Sequence, residues 1–310
     1  MTTHHDNTSS TPSAAAAGTW QLGDRTVNRV GFGAMRVTGM PWDDRPKDRG
    51  DAIAVLRRAI ELGVDHIDTA AFYFAPTRSA NELISTALQP YPDNLVLTTK
   101  VGPGRTRDGA FEYARPDQLR GQVEENIRQL GLDHLDVVNL RWGAEMGKET
   151  GSVAEHFGAL AELREAGLIR HLGISNVSAE QLAEAMAIAP VVCVQNRYGL
   201  TERQDEALVE TCARHGIAFV PFFAVATSVP GATPHGGHDE TGQAEVAKVA
   251  AAHGSTPAQV RLAWTLHHGD HILAIPGTGN RAHLEENVAA GALRLSDDEV
   301  ALLDGIATTG

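Results

Sequence analysis

One local pattern recurs along this chain and narrows the folds open to it: an amphipathic helical stretch, a glycine, then a short apolar run. Ile53, Leu56 and Ile60 fall at helical spacing, Gly63 follows, and Val64–Ile67 reads as a strand. Leu119, Val123, Ile127 and Leu130 repeat the pattern before Gly131 and Leu135–Leu140. Val153, Phe157, Leu160 and Leu163 do so before Gly167 and Leu168–Ile174. A helix around Leu208 stops at Gly216 and gives way to Ile217–Phe223. Glycine suits these positions because a helix C-terminus often needs a residue that tolerates positive φ. Helix starts are marked by capping-box spacings at Ser178-x-x-Gln181, Thr256-Pro257-x-Gln259 and Ser296-x-x-Glu299.

The expected strands are Arg29–Gly33, Val64–Ile67, Leu95–Lys100, Leu135–Leu140, Leu168–Ile174, Val191–Gln195, Ile217–Phe223 and His271–Ile275. Each is followed by a helical segment and no composition break divides the series, which predicts parallel strands with helical crossovers. An open doubly wound sheet competes with a closed barrel. Eight near-equal units without a midpoint linker favour closure, an α/β fold of the (β/α)8 TIM-barrel type. Thr19–Leu22 and Thr26–Arg29 flank Gly23-Asp24, the signal of an N-terminal β-hairpin that would cap the barrel floor.

At 310 residues the chain can bury the core of such a barrel. Residues 1–17 are rich in Thr, Ser and Ala, lack the apolar core of a signal peptide, and read as a disordered tail. That leaves 18–310 as a single barrel domain and a cytoplasmic location as the expectation. No run approaches the ~20 apolar residues of a membrane span. A formal net charge of −13 disfavours nucleic acid and anionic membranes as partners, although a local pocket can still oppose the global sign and accept an anionic cofactor. Cys193 and Cys212, the only cysteines, lie in apolar and helical runs and read as inert buried thiols.

In a barrel of this kind ligands are handled at the carboxyl ends of the strands. Asp68 follows the second strand, with Tyr73 shortly after it; Lys100 ends the third, Arg141 and Trp142 the fourth, Ser175 and Asn176 the fifth, and Gln195 the sixth. An acid, a phenol, an amine and a guanidinium therefore converge on one rim, the makeup of a proton-transfer site. A phenol of ordinary pKa, about 10, is a sluggish donor at neutral pH. An ammonium near 4 Å would favour the phenolate by about 4 kcal/mol at an effective dielectric of 20, roughly three pKa units, with Asp68 offsetting part of it. Taken singly, Asp68 could cap the next helix, Lys100 could snorkel to the surface and Tyr73 could pack.

The segment His66-Ile67-Asp68-Thr69-Ala70 with Tyr73 resembles the Asp-Thr-Ala-x-x-Tyr signature of the aldo-keto reductases. Leu97-Thr98-Thr99-Lys100, Gly173-Ile174-Ser175-Asn176, Gln195-Asn196, and Ile275-Pro276-Gly277-Thr278 with Glu286-Asn287 resemble further segments of that family, in order, from about Gly31 to Asn287. The resemblance implies that Asp68, Tyr73 and Lys100 are three members of a catalytic tetrad. Its fourth member is usually histidine, and Arg141 stands there instead. Arginine keeps its proton at working pH, so a neutral imidazole donor is exchanged for a charge-assisted one. The Val137-Val138-Asn139-Leu140-Arg141 run and Val220-Pro221-Phe222-Phe223 resemble the pyridoxal-reducing branch of the family. That implies a small carbonyl compound such as pyridoxal as partner, with Arg141 on its phenolic or carbonyl oxygen, and a monomer as the default state.

No Gly-x-Gly-x-x-Gly opens a helix, since Gly31-Phe32-Gly33 is followed by Ala34, Met35 and Arg36; a Rossmann site is not supported. By resemblance, Ser175, Asn176 and Gln195 would hold the amide of a nicotinamide, Phe222 would stack on its ring or else pack in the core, and Ala224 and Val225 would approach the pyrophosphate. Gly33, Ala34 and Met35 would form the loop beneath the ring. Thr278, Asn280 and Arg281, before a helix starting near His283, suit an adenosine 2′-phosphate and favour NADP(H) over NAD(H). The family's usual lysine after this strand is Gly277 here. Glu286 and Asn287 would address the adenine, or else be ordinary helix polar residues. Loops Trp142–Gly151 and Ala224–Glu240 should shape the substrate mouth, with Phe72, Phe74 and Trp142 as walls and Tyr198 either reaching the pocket or packing. His235, His238, His267 and His268 lack further ligands at suitable spacing, so no metal is expected. A general aldehyde, sugar or quinone reductase and a nucleotide-binding regulatory subunit are the alternatives.

Overall fold

The computed structural model describes residues 11–39, 47–75, 78–105, 111–143, 147–222, 224 and 242–306. Its parallel sheet runs in the spatial order Ala218–Phe219, Val191–Gln195, Ile169–Ser175, Leu135–Arg141, Val96–Val101, His66–Asp68 and Phe32–Gly33. The two edges are joined by the chain at Ile272 and Ala274, which pair in parallel with Phe219 and Val30. Hydrogen bonds from Leu273 N to Phe219 O (2.9 Å) and from Gly31 N to Ala274 O (2.8 Å) complete the seam. The sheet therefore closes, and the open-sheet alternative falls. The seam strands are shorter than expected: Arg29–Gly33 contracts to Phe32–Gly33, Ile217–Phe223 to Ala218–Phe219, and His271–Ile275 to isolated pairs.

Helices Arg49–Glu61, Ala80–Leu88, Leu119–Leu130, Ala154–Glu165, Ala179–Ile188 and Glu206–Arg214 alternate with the strands, and Gln243–His253 and Pro257–His267 precede the closing segment. The capping boxes at Ser178, Thr256 and Ser296 form, each hydroxyl accepting from the backbone N–H three residues on. Gly131 ends its helix in the left-handed region at φ 67°, where a β-carbon would be strained. No helix among the described residues is long and apolar enough to cross a membrane.

Thr19–Leu22 and Arg25–Asn28 form the expected hairpin. Its inward residues Leu22 and Val27 cluster with Val96, Val137, Cys193, Ala218 and Leu273 from the barrel strands, so the hairpin plugs the floor. The expected tail through Ala17 requires correction. Residues 1–10 lie outside the described residues, but Ala14–Ala17 form a 3-10 helix, with Ala14 and Ala17 buried and Ala14 N donating to Leu62 O at 2.8 Å. Ala14 and Ala17 face inward while Ala15 is exposed, so this turn packs on the domain through two small side chains.

Candidate active site

Asp68 ends the second barrel strand and Lys100 lies near the end of the third, and both side chains are buried. Lys100 Nζ donates to Asp68 Oδ1 at 2.5 Å and to the carbonyl of Thr69 at 3.3 Å. The other carboxylate oxygen accepts from Gln195 Nε2 at 2.8 Å. Tyr73 stands in the turn after Asp68, its N–H donating to Ala70 O (3.0 Å) and its carbonyl accepting from Ala80 N (2.9 Å). This turn sets its ring centroid 4.9 Å from Lys100 Nζ. Behind the pair, Thr69 donates to Asn81, and Asn81 and Thr99 both donate to Asn126 Oδ1, at 2.9 and 2.6 Å. This buried network pins the strand ends from the helix side, and sequence reasoning missed it.

Burial opposes the ammonium of Lys100, but Asp68 and then Tyr73 outweigh it, so its pKa is raised. For Tyr73 the expected acidification is overturned: burial pushes the phenol up, Lys100 pulls it down, Asp68 pushes it up again, and the balance is a raised pKa. Burial is the largest of these effects, and the carboxylate 2.5 Å from the ammonium offsets part of the lysine's pull. A phenol in this state keeps its proton through the neutral range and is available as a donor.

Arg141 ends the fourth strand, in register with Ser175 on the fifth. Burial lowers its pKa, against the attraction of Tyr73, Tyr113 and Glu149, yet guanidinium stays protonated. Its central carbon lies 5.4 Å from the Phe222 ring centroid. Tyr113 was also missed. It comes from a hairpin, Pro103–Arg105 with Phe111–Tyr113, that no local signal announced. Its ring meets Trp142 edge-on at 5.6 Å and His156 at 5.4 Å. A β-carbon at Gly102 would lie 3.0 Å from that ring and 2.5 Å from Arg141 O, so glycine there lets the hairpin close on the site.

Ser175 and Gln195 are register partners on the fifth and sixth strands. Ser175 Oγ and Gln195 Oε1 are buried and have no hydrogen-bond partner among the described residues. Orphaned polar atoms of this kind suit a carboxamide, which can donate and accept. Asn176 is differently employed. At φ 63° its Nδ2 donates to the carbonyls of Trp142 (3.0 Å) and Gly147 (2.7 Å), tying down the loop after the fourth strand. Gly33 meets the loop after the last strand closely, since a β-carbon there would lie 2.6 Å from Ile275 O. Ala34 and Met35 follow it in the 3-10 helix Ala34–Val37. Ala224 is buried; Val225 lies outside the described residues, as do His235 and His238.

Asn280 caps the helix Arg281–Ala289, its Oδ1 accepting from Ala282 N (2.8 Å) and His283 N (3.3 Å), so this helix starts two residues before the expected His283. Thr278 Oγ1 accepts from Asn280 N at 3.1 Å. Arg281 is exposed, Glu286 half-buried and Asn287 buried. Phe72 meets Tyr73 edge-on at 5.2 Å, Phe74 is exposed, and Trp142 is buried with its Nε1 donating to Glu149 O. Tyr198 resolves to packing: it is buried against Phe219 and Trp264, and its hydroxyl donates to Glu206 at 2.8 Å. No cluster of three or more metal-binding side chains occurs among the described residues, and His268 Nδ1 donates to Trp264 O at its helix end.

Residues 29–308 match the family model described as the aldo/keto reductase family. The pyridoxine 4-dehydrogenase of Escherichia coli K12 is 45% identical over 294 residues, which cover 94% of this chain and 99% of that protein. A Klebsiella pneumoniae aldo-keto reductase solved in complex with NADPH superposes with a TM-score of 0.74 at 27% identity, covering 92% of this chain and 93% of that one. A Gluconobacter oxydans glycerol dehydrogenase shares the fold at a TM-score of 0.80 and 22% identity, covering 93% and 94% of the two chains.

Proposed function

The chain belongs to the aldo/keto reductase family, and from that premise we propose that it uses NADP(H) to reduce small aldehydes and ketones, pyridoxal among them, with Tyr73 as general acid. Membership makes it an oxidoreductase. The choice of pyridoxal rests on the likeness to the pyridoxine 4-dehydrogenase, and that of NADP(H) on relatives crystallised with NADPH or NADP. The observation that carries the reading is the buried array of Asp68, Lys100 and Gln195 around Tyr73, next to the two orphaned atoms of Ser175 and Gln195.

When bound, the reduced cofactor would supply the hydride for the carbonyl carbon. Ser175 and Gln195 fit its carboxamide, and Phe222 offers a face to its ring. Tyr73 delivers its proton to the carbonyl oxygen as that oxygen gains charge, and solvent restores the proton. The raised pKa of Tyr73 keeps the donor loaded at neutral pH. Lys100 and Arg141 stabilise the phenolate left behind, both being cations close to it. In pyridoxal the phenolic oxygen stands beside the aldehyde, and Arg141 pairs with one of these two oxygens. Trp142, Phe72 and Phe74 wall the mouth. The reading includes a monomer in the cytoplasm, with no nucleic-acid partner given a net charge of −13.

The test is NADPH consumption with pyridoxal, 4-nitrobenzaldehyde and an aldose, for the wild type and Arg141→His. Pyridoxal turnover that Arg141→His abolishes supports the assignment; intact turnover in that variant removes the role given to Arg141. Preference for the other substrates favours a general reductase. Tight NADPH binding without any turnover favours a nucleotide-binding regulatory protein.

A further inference from the structure

The loop after the last barrel segment is pressed against the segment after the first strand. A β-carbon at Gly277 would lie 2.5 Å from Gly33 O, and one at Gly279 would lie 3.2 Å from Arg36 O. No side chain fits at 277 without moving backbone, so this loop cannot carry a cation there. The start of the following helix is also largely closed to an anion, because Asn280 Oδ1 already takes the N–H groups of Ala282 and His283, and Thr278 takes that of Asn280.

A cation arrives from elsewhere in the chain. Lys47 lays its stem along this loop, with Cδ and Cε each 3.6 Å from where a β-carbon of Gly279 would stand. That is ordinary van der Waals distance, so the stem lies directly over the loop. The backbone of Lys47 is held where it enters the first helix: Arg78 donates to its carbonyl, and Asp48, the next residue, caps that helix by accepting from Asp51 N at 3.0 Å. Lys47 is exposed, as is Arg281 at the first position of the facing helix. Two solvent-accessible positive groups thus border the glycine loop.

We propose that Lys47 is the residue that recognises the 2′-phosphate of the cofactor, acting with Arg281 across the glycine loop. The proposal rests on the cofactor reading above and names the side chain that makes it selective. A phosphate monoester accepts charge-assisted hydrogen bonds from an ammonium and a guanidinium, whereas the free 2′-hydroxyl of NADH gives them little to hold.

Dissociation constants for NADPH, NADH, 2′,5′-ADP and 5′-AMP, measured by calorimetry on wild type, Lys47→Ala and Lys47→Arg, test it without reference to turnover. The expected result is a rise of about fivefold or more in the constants for NADPH and 2′,5′-ADP in Lys47→Ala, with NADH unchanged and Lys47→Arg near wild type. The effect should shrink at 0.5 M salt, as about 4 Å of Debye length would require. Equal weakening of NADPH and NADH, or no change in either, overturns the assignment and leaves the cofactor reading standing. A wild-type protein that binds neither nucleotide sinks both.

Discussion

At the floor of the barrel Arg29 is buried and donates to four carbonyls, those of Ala17, Leu266, Gly269 and Ile272, with Asp270 at 3.7 Å. At the rim Lys100 is equally buried, but its neighbours Ser175 and Gln195 each leave a buried oxygen without a partner among the described residues. The floor cation joins the hairpin, the end of helix Pro257–His267 and the closing segment, so its hydrogen bonds are internal and serve the fold. The rim holds its charges in place and leaves acceptors over. Unpaired buried polar atoms cost stability, on the order of 1–3 kcal/mol each; the floor has them too, at Trp20 Nε1 and His66 Nε2, but at the rim Ser175 Oγ and Gln195 Oε1 belong to register partners on adjacent strands, a pair of atoms that one ligand can complete.

If the rim serves chemistry and the floor serves the fold, substitutions at the two ends must separate activity from stability. The largest effect belongs to Tyr73→Phe. Removing the donor should lower kcat for carbonyl reduction by roughly 10²- to 10⁴-fold while leaving the melting temperature and NADPH affinity near wild type. A loss under tenfold would mean that another group, such as Tyr113 beside Arg141, delivers the proton. Arg29→Met should do the reverse, costing about 3 kcal/mol of stability by stranding carbonyls that now share one cation. Denaturant unfolding measures it, and kcat per folded molecule should hold. A variant with wild-type stability and impaired turnover would dissolve the contrast between the two ends.

A smaller effect tests the floor by pH. His66, at the start of the second strand, is buried against Gly31, and burial lowers its pKa to about 4 while the backbone of Asn28 opposes this weakly. Its unfolded pKa is near 6.5, so below that pH the unfolded chain takes up a proton that the folded chain refuses. Stability is therefore full above pH 6.5 and declines as the pH falls towards 4. His271 and His268 are lowered by burial too and add in the same direction. From His66 alone the loss at pH 5.5 is about 1.4 kcal/mol. An imidazole proton signal for His66 titrating near 6.5 in the folded protein would refute it.

Much of this was legible in the chain. Helix ends were readable because Ser178, Thr256, Ser296 and Gly131 satisfy local geometry with local atoms. Asp68 and Lys100 were found because strand ends in a barrel share one rim. The seam strands were overextended because a continuous apolar run does not reveal how few residues pair when a twisted sheet closes on itself. Tyr113, Asn81 and Asn126 escaped notice since their partners lie on other elements, and no spacing encodes a contact across 27 residues such as Thr99 to Asn126. The raised pKa of Tyr73 was missed for a related reason: its first cause is burial, which depends on elements distant in sequence, and Asp68 adds to it against the pull of Lys100.

The smallest effect decides whether the orphaned oxygens are a ligand site or a packing fault. Ser175 Oγ is buried with no partner among the described residues. Removing it in Ser175→Ala deletes an unsatisfied group, so the free protein should be as stable as wild type or slightly more so. If the hydroxyl is completed by the cofactor's carboxamide, the same change should weaken binding of NADPH by about 1 kcal/mol, close to fivefold. Binding of 2′,5′-ADP, which has no carboxamide, should not change. A packing fault predicts the gain in stability with both affinities intact. Equal loss for both ligands would mean that the change displaces the strand end rather than a single hydrogen bond. Gln195 Oε1 lies on the neighbouring strand in the same condition while its Nε2 holds Asp68, so Gln195→Glu would set a carboxylate against Asp68 and lower stability together with NADPH affinity, a joint loss that Ser175→Ala should not show.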